Sequence, residues 1–435
     1  MPERVVNHPK YGRGVVQESR YKGFELRVEF DDGVTRWVRL DEITESIMPP
    51  PVPSSPQPIP PPMSQSFESR RMIEAFRCGI VPHDCVQDFT FGRDREIQQL
   101  MEWLRDPDKS TLLLVGEYGT GKTHLLDYTY WYALHENFAV ARVEMDPNEV
   151  PFHKPKRVYA RLVQTFRFRS IIDGQFKGFR DFLKETLALG AFEDHEYFCH
   201  LIGRTSDENL WDWIEAREAG GKPWGYWELP SMYDYSTAAN IYCYLLSALG
   251  WAARNILGLS GLLLIFDEAE ALDMSYYYQF EKGLNFLKAL TRTASDDAQL
   301  LEPPYKSYAG LDYCGRRGQH IPFLYRQPSG LKLLFAFTQA GDEIISAFTQ
   351  AGVEIERARI DLQPLSDAAL KEVFENICLL YDSAYDFLEE DLTIDRIFKR
   401  VTAQGGRTRL FVKVVVEALD LARLNHGQPL DEVLQ

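Results

Sequence analysis

Three uninterrupted apolar runs punctuate the chain: Leu112-Leu113-Leu114-Val115, Leu262-Leu263-Leu264-Ile265-Phe266 and Leu333-Leu334-Phe335-Ala336-Phe337. Their length suits strands covered on both faces, as in a parallel sheet between helices. Residues 138–143 read as a further strand. Helical spacing lies between and after them. It runs through Ile97, Leu100 and Leu104, then Leu125, Leu126, Tyr130 and Tyr132. Beyond Asp367 it continues through Leu370, Val373, Phe374, Ile377, Leu379 and Leu380, and beyond Gly405-Gly406 through Phe411, Val414, Val415, Ala418 and Leu421. The first residues behave differently. Residues 24–30 alternate apolar and polar, Asp31-Asp32-Gly33 supplies a hairpin turn, and residues 34–38 return as a second strand. The pattern therefore predicts a small all-β module at 1–47 and an α/β core at 67–362. A helical insertion lies at about 171–234, and a helical segment closes the chain at 363–435.

Residues 48–66 join the two parts. Nine prolines between 49 and 62 remove backbone donors and favour extended polyproline II, about 3.1 Å per residue. The linker is predicted to reach roughly 40 Å. The insertion is rich in aromatics (Phe198, Trp211, Trp213, Trp224, Trp227, Tyr233, Tyr235) and acidic residues. Aromatics can stack on bases, but the negative charge points instead to a helical core or a protein interface.

Chemistry enters at the end of the first apolar run. Gly116-Glu117-Tyr118-Gly119-Thr120-Gly121-Lys122-Thr123 reads G-x-x-x-x-G-K-[ST], the P-loop, in strand–loop–helix context. Its glycines permit close backbone approach, and its N–H groups with the following helix N-terminus cradle phosphates. Lys122 is expected on the β- and γ-phosphates and Thr123 on Mg²⁺, with His124 completing the nucleotide-contacting stretch. The second run ends in Asp267-Glu268, a Walker B pattern. Asp267 is expected beside the metal, from the end of a neighbouring strand, and Glu268 as the base that polarises water. ATP and Mg²⁺ are the implied cofactors.

Composition changes this picture little. The chain has 435 residues, 45% hydrophobic and 26% charged, with ordinary globular proportions. No run approaches membrane length and the first residues open no apolar signal, so a cytoplasmic protein is expected. Six scattered cysteines include no C-x-x-C pair, which argues against disulfides or zinc. A net charge of −16 disfavours a general nucleic-acid coat. One stretch runs against it: Lys154, Lys156, Arg157, Arg161, Arg167 and Arg169 follow one another without an acidic residue. They are either an anion-facing surface or a solvated helix face balanced by acids near 193–208.

Several resemblances attach to these motifs. Gly92-Arg93 with Glu96, ahead of the P-loop, resembles the G-R-x-x-E segment of AAA+ initiator-type ATPases, which implies a place near the adenine. The same resemblance implies sensor 1 at Thr338, with Gln339 next, and an arginine finger at Arg357 or Arg359 that reaches a neighbouring subunit. It also implies sensor 2 at Arg409, with Arg407 as the fallback. His8-Pro9-Lys10-Tyr11-Gly12-Arg13-Gly14 resembles the opening of Tudor-like and SH3-like barrels appended to superfamily 1 DNA helicases, which implies protein docking or nucleic-acid contact. Residues 70–425 resemble the ATP-binding proteins of BREX-type bacterial phage-defence systems. That likeness rests on Met72-Ile73-Glu74-Ala75-Phe76-Arg77-Cys78-Gly79-Ile80-Val81-Pro82, on the P-loop itself, and on the approach to Glu268 with Gly258 and Gly261. It implies an AAA+-like P-loop ATPase with a C-terminal helical lid, acting as a homo-oligomer with a helicase or other defence-system protein, with DNA, and away from membranes. A DNA-acting motor or loader and an ATP-driven assembly switch both remain open.

Overall fold

The computed structural model describes residues 5–8, 10–20, 25–31, 33–39, 44–45, 65–82, 85–273, 276–302, 310–314, 320–338, 340–387, 395 and 408–425. Most of the proline-rich linker, Gln339, and Gly405 to Arg407 with the fallback sensor lie outside them. The chain divides into two compact units, residues 1–64 and 65–435.

The first unit is a five-stranded antiparallel sheet in the order β4-β3-β2-β1-β5. The strands are β1 (Val5–His8), β2 (Gly12–Arg20), β3 (Glu25–Phe30), β4 (Thr35–Arg39) and β5 (Thr44–Glu45). Leu26, Val28 and Phe30 turn inward while Arg27 and Glu29 stay exposed, the period of two that the alternation predicts. The β3–β4 turn closes where Asp31-Asp32-Gly33 stands: Gly33 donates to the Phe30 carbonyl at 2.8 Å. Among the described residues no pairing joins β4 to β5, and the described strands form a sheet.

The second unit is α/β. Its strands are β6 (Thr111–Gly116), β7 (Phe138–Glu144), a small hairpin of β8 (Phe168–Arg169) and β9 (Phe176–Lys177), then β10 (Gly261–Asp267), β11 (Leu331–Phe337) and β12 (Arg359–Leu362). Its helices are α1 (Gln65–Arg77), α2 (Asp94–Arg105), α3 (Lys122–His135), α4 (Pro155–Thr165), α5 (Phe179–Ala188) and α6 (Glu208–Ile214). They continue with α7 (Ala239–Asn255), α8 (Tyr277–Ala294), α9 (Asp342–Gln350), α10 (Asp367–Tyr385) and α11 (Thr408–Leu424). The main sheet is fully parallel in the order β12-β6-β11-β10-β7. The carboxylate strand β10 is therefore not the neighbour of the P-loop strand β6 that the sequence suggests. β11 stands between them, with Leu334 facing both Leu112 and Ile265 in register. Each of the three strands carries a comparable apolar run, at 112–115, 262–266 and 333–337, so those runs do not mark which is central.

Alternation along these buried strands still matters, because the two faces pack on different helices. Leu112, Leu114, Val140, Ile265 and Leu334 join α2 and α3. Leu113, Ala139, Leu264, Phe266 and Phe335 join the larger core of α4, α5, α7, α8 and α9. That core also takes in the insertion. Trp211, Trp213 and Phe198 are buried within it, whereas Trp224 and Trp227 are exposed.

A third cluster forms the lid. Val373, Phe374 and Ile377 of α10 and Phe411, Val414 and Val415 of α11 enclose Met72, Ile73 and Phe76 of α1. The sequence reading assigned α1 to the core; its apolar stripe packs instead with the lid. Leu379, placed on the apolar stripe of α10, faces solvent, while Tyr381 points inward.

Candidate nucleotide-binding site

A cavity of about 640 Å³ opens between the P-loop and the lid. Its floor is local. β6 delivers the loop, Gly119 and Gly121 hold φ of 84° and 98°, and α3 begins at Lys122, so free N–H groups at the helix start face the cavity. Gly119, Thr120, Gly121, Lys122, Thr123 and His124 line it, with Tyr118 exposed at the edge. Gly116 and Glu117 act from beneath. The Gly116 carbonyl accepts from Lys122 Nζ at 2.9 Å, and the Glu117 carbonyl accepts from the Thr120 hydroxyl at 2.8 Å.

Lys122 also donates to Thr338 Oγ1 at 3.0 Å. This contact exists because β11 lies between β6 and β10, which brings its polar end against the P-loop lysine. Asp267 is buried at the end of β10. Its Oδ1 accepts the Glu268 N–H at 3.0 Å, and its Oδ2 accepts Arg142 Nη2 at 2.7 Å. Arg142, Glu144 and Glu268 line the same cavity as Lys122, so the two strand ends converge on one space.

Glu268 adopts a left-handed backbone conformation, φ 53°. Burial raises its carboxyl to about 7; Glu270 and Asp267 push the same way, and Lys122 opposes them. A carboxyl poised there suits proton transfer near neutrality.

Arg93 and His124 brace the loop. Arg93 is buried, donates to the Thr120 carbonyl at 2.7 Å and pairs with Glu96 at 3.0 Å. His124 Nε2 and Thr90 Oγ1 lie 2.8 Å apart, and burial, with the Arg93 charge second, pulls the imidazole down to about 4. The residue expected to contact nucleotide is thus committed by its ring to the segment before α2. Gly92 departs from its expected place. It is not among the lining residues; at φ 63° it packs on the lid, where a Cβ would overlap Ala369.

The candidate arginines separate. Arg409 lines the cavity from the first turn of α11, with Nη2 3.4 Å from the Cys78 carbonyl. Arg357 is exposed and paired with Glu354 at 2.8 Å; Arg359 pairs with Asp361 at 2.6 Å. Neither reaches the cavity of its own chain. The basic stretch after Lys154 is held within the chain only at its start, and Arg157, Arg161, Arg167 and Arg169 stay exposed. Lys154 bonds the Asp234 carbonyl, Lys156 the Glu218 carbonyl and Arg157 the Asn148 carbonyl, so the acids near 193–208 are not its partners.

Sequence reasoning missed Arg142, Glu144 and Asp127, and the apolar wall at the far end, where Phe76, Val81, Phe89, Leu365, Ile377 and Val412 meet. A charged residue inside the apolar run of β7 was the one available signal for Arg142.

Fold and site together define an α/β protein of P-loop ATPase type. Residues 65–182 match the profile of a family described as "BREX system ATP-binding protein BrxC/D", roughly a quarter of the chain. No curated protein gives a match. Among solved structures, the chain is similar to the Orc1 protein of Aeropyrum pernix in complex with DNA, at 14% identity and a TM-score of 0.40 over 82% of this chain and 68% of that one. It is also similar to a Walker-type ATPase of Pyrococcus abyssi, at 14% identity and a TM-score of 0.40 over 79% and 70%. Among the described residues no helix is long and apolar enough to cross a membrane.

Proposed function

We propose that this chain is an AAA+-type, Mg²⁺-dependent ATPase of a bacterial anti-phage defence system. The observation that carries the reading is the convergence at Lys122. Its ammonium is held by the Gly116 carbonyl and the Thr338 hydroxyl, in a cavity also lined by Glu268 and by Arg142, whose guanidinium reaches Asp267 behind the lining. The family description supports ATP binding and the defence setting.

The donor set fits a magnesium ion. Each Asp267 oxygen accepts one hydrogen bond and keeps a lone-pair direction, and Thr123 is exposed on the cavity floor. Thr123 and Asp267 would hold the ion, which would neutralise charge on the β- and γ-phosphates. Lys122 would bind the same phosphates, Glu268 would take the proton of an attacking water, and Thr338 would orient the lysine. Arg409 would contact the phosphates from the lid. Arg357, detached from Glu354 at a cost of about 0–1 kcal/mol, would serve a second copy in a homo-oligomer.

On this reading the chain works in the cytoplasm with a helicase-type or other defence-system protein and with DNA. The second reading, an ATP-driven assembly switch, is favoured by the net charge of −16, which disfavours a general nucleic-acid surface. Glu268→Gln tests the chemistry: ATP binding persists while hydrolysis falls about a hundredfold or more. Hydrolysis at the normal rate would remove Glu268 from the role. Sizing that variant with ATP and Mg²⁺, with and without DNA, separates the readings. DNA-stimulated turnover that fades with salt supports the motor, and DNA-indifferent, ATP-dependent capture of a partner supports the switch.

A further inference from the structure

Arg142 stands at the centre of the site without being part of the P-loop or of the Asp-Glu pair. It is largely buried, and its guanidinium is shared between two carboxylates. Nη1 pairs with Asp127 of α3, one turn beyond Thr123, and Nη2 donates to Asp267 Oδ2 at 2.7 Å. Its backbone is held too. The Arg142 N–H donates to Thr165 Oγ1 at 3.0 Å, and the Thr165 hydroxyl donates to the Arg142 carbonyl at 2.6 Å. The period of two along β7 and β10 puts Arg142, Glu144 and Asp267 on one face of the sheet, the face that α3 covers, with Glu144 and Asp267 in register.

A cation in this position has a consequence. Buried carboxylates left unneutralised are costly, so Arg142 satisfies Asp127 and Asp267 whenever no other cation is present. A divalent ion drawn to Asp267 meets the guanidinium already on Oδ2, and in a low-dielectric site the two positive charges repel strongly. The triphosphate brings the negative charge that offsets this repulsion.

We propose that Arg142 is a resident cation that occupies Asp267 in the nucleotide-free protein, so that the metal is accepted only together with the triphosphate. Arg142 is a positioning residue: it acts through Asp267 and makes metal binding conditional. The inference rests on Asp267 being the metal-side carboxylate.

The test uses the full chain without nucleotide and Mn²⁺ as a paramagnetic probe, followed by electron spin resonance. Arg142→Gln binds Mn²⁺ about tenfold or more tightly than the unaltered protein. Added Mg²⁺ raises its thermal midpoint, while the unaltered protein gains nothing without ATP. Arg142→Lys, which keeps a cation but not the fork that spans two carboxylates, binds Mn²⁺ with an affinity between those of Arg142→Gln and the unaltered protein. A folded Arg142→Gln protein with unchanged Mn²⁺ affinity overturns the proposal. Where Arg142→Gln fails to fold, the double variant with Asp127→Asn loses one charge of each sign. It then binds Mn²⁺ about tenfold more tightly than Asp127→Asn alone, and equal affinity overturns the proposal. Asp267→Asn separates the two levels. If ATP binding keeps its full Mg²⁺ dependence in that variant, the metal assignment has failed. If the dependence is lost and Arg142→Gln still gains no Mn²⁺, the resident-cation role alone has failed.

Discussion

The two ends of the cavity are built in opposite ways. At the phosphate end, residues 116–124 follow one another along the chain, and their geometry is set by two positive-φ glycines and the start of a helix. At the lid end, Phe76 and Phe89 meet Leu365, Ile377 and Val412 from the far end of the chain, and they meet only because α1, α10 and α11 pack together. A site made from a local motif is strict in identity and tolerant of its surroundings. A site made from packing depends on the whole lid cluster and allows many apolar identities. Affinity is therefore expected to concentrate at the first end, and conformational control at the second.

The most direct way to break this contrast is Lys122→Ala. Loss of a charge-assisted contact to the phosphates weakens ATP binding roughly 10–100-fold by calorimetry, with the fold retained. A loss of only twofold would mean that the lid end carries the affinity. At the lid end, Gly79→Ala introduces a Cβ at φ 68°, 2.7 Å from Arg409 Cγ and 2.8 Å from Lys413 Cε. It costs about 1–2 kcal/mol in thermal stability and displaces Arg409, lowering ATP affinity by a few-fold. Unchanged affinity would detach Arg409 from the nucleotide.

Acid sharpens the comparison from the phosphate end. His124 is held at about 4 in the folded protein, below the ordinary histidine value, so between pH 6.5 and about 4 the unfolded chain binds a proton that the folded chain refuses. Stability from this residue is present above 6.5 and falls by about 1 kcal/mol per pH unit below it. Chemical denaturation at stepped pH measures the slope, and His124→Asn flattens it. Arg357→Ala gives the smallest effect. Its exposed pair with Glu354 predicts a stability change within about 0.5 kcal/mol and unaltered ATP binding, read by denaturation and calorimetry. A larger loss of stability would mean that the pair braces the fold.

Much of the phosphate end was legible beforehand because its signals are local. The P-loop spacing, the apolar run before it and the Asp267-Glu268 step each state their geometry in a few residues. The strands at 112–115, 138–143, 262–266 and 333–337 were legible for the same reason. Strand order was not, because three comparable apolar runs carry no mark of which is central; β11 therefore took the place expected for β10. The lid role of α1 was hidden as well, since its stripe of Met72, Ile73 and Phe76 would serve any apolar partner. Gly92 was over-read, because adjacency to a motif does not tell which helix a glycine touches.

By itself the sequence determined that a phosphate-cradling loop stands at the end of a buried strand, and that a carboxylate pair ends another. Local backbone conformation and side-chain chemistry suffice for both. The tertiary structure alone decided that β11 brings Thr338 to Lys122, that α1 helps to roof the cavity, and that Arg142 lies between Asp127 and Asp267. Those outcomes depend on which buried surfaces meet, and hydrophobic burial is non-directional: it requires apolar faces to find partners without naming them.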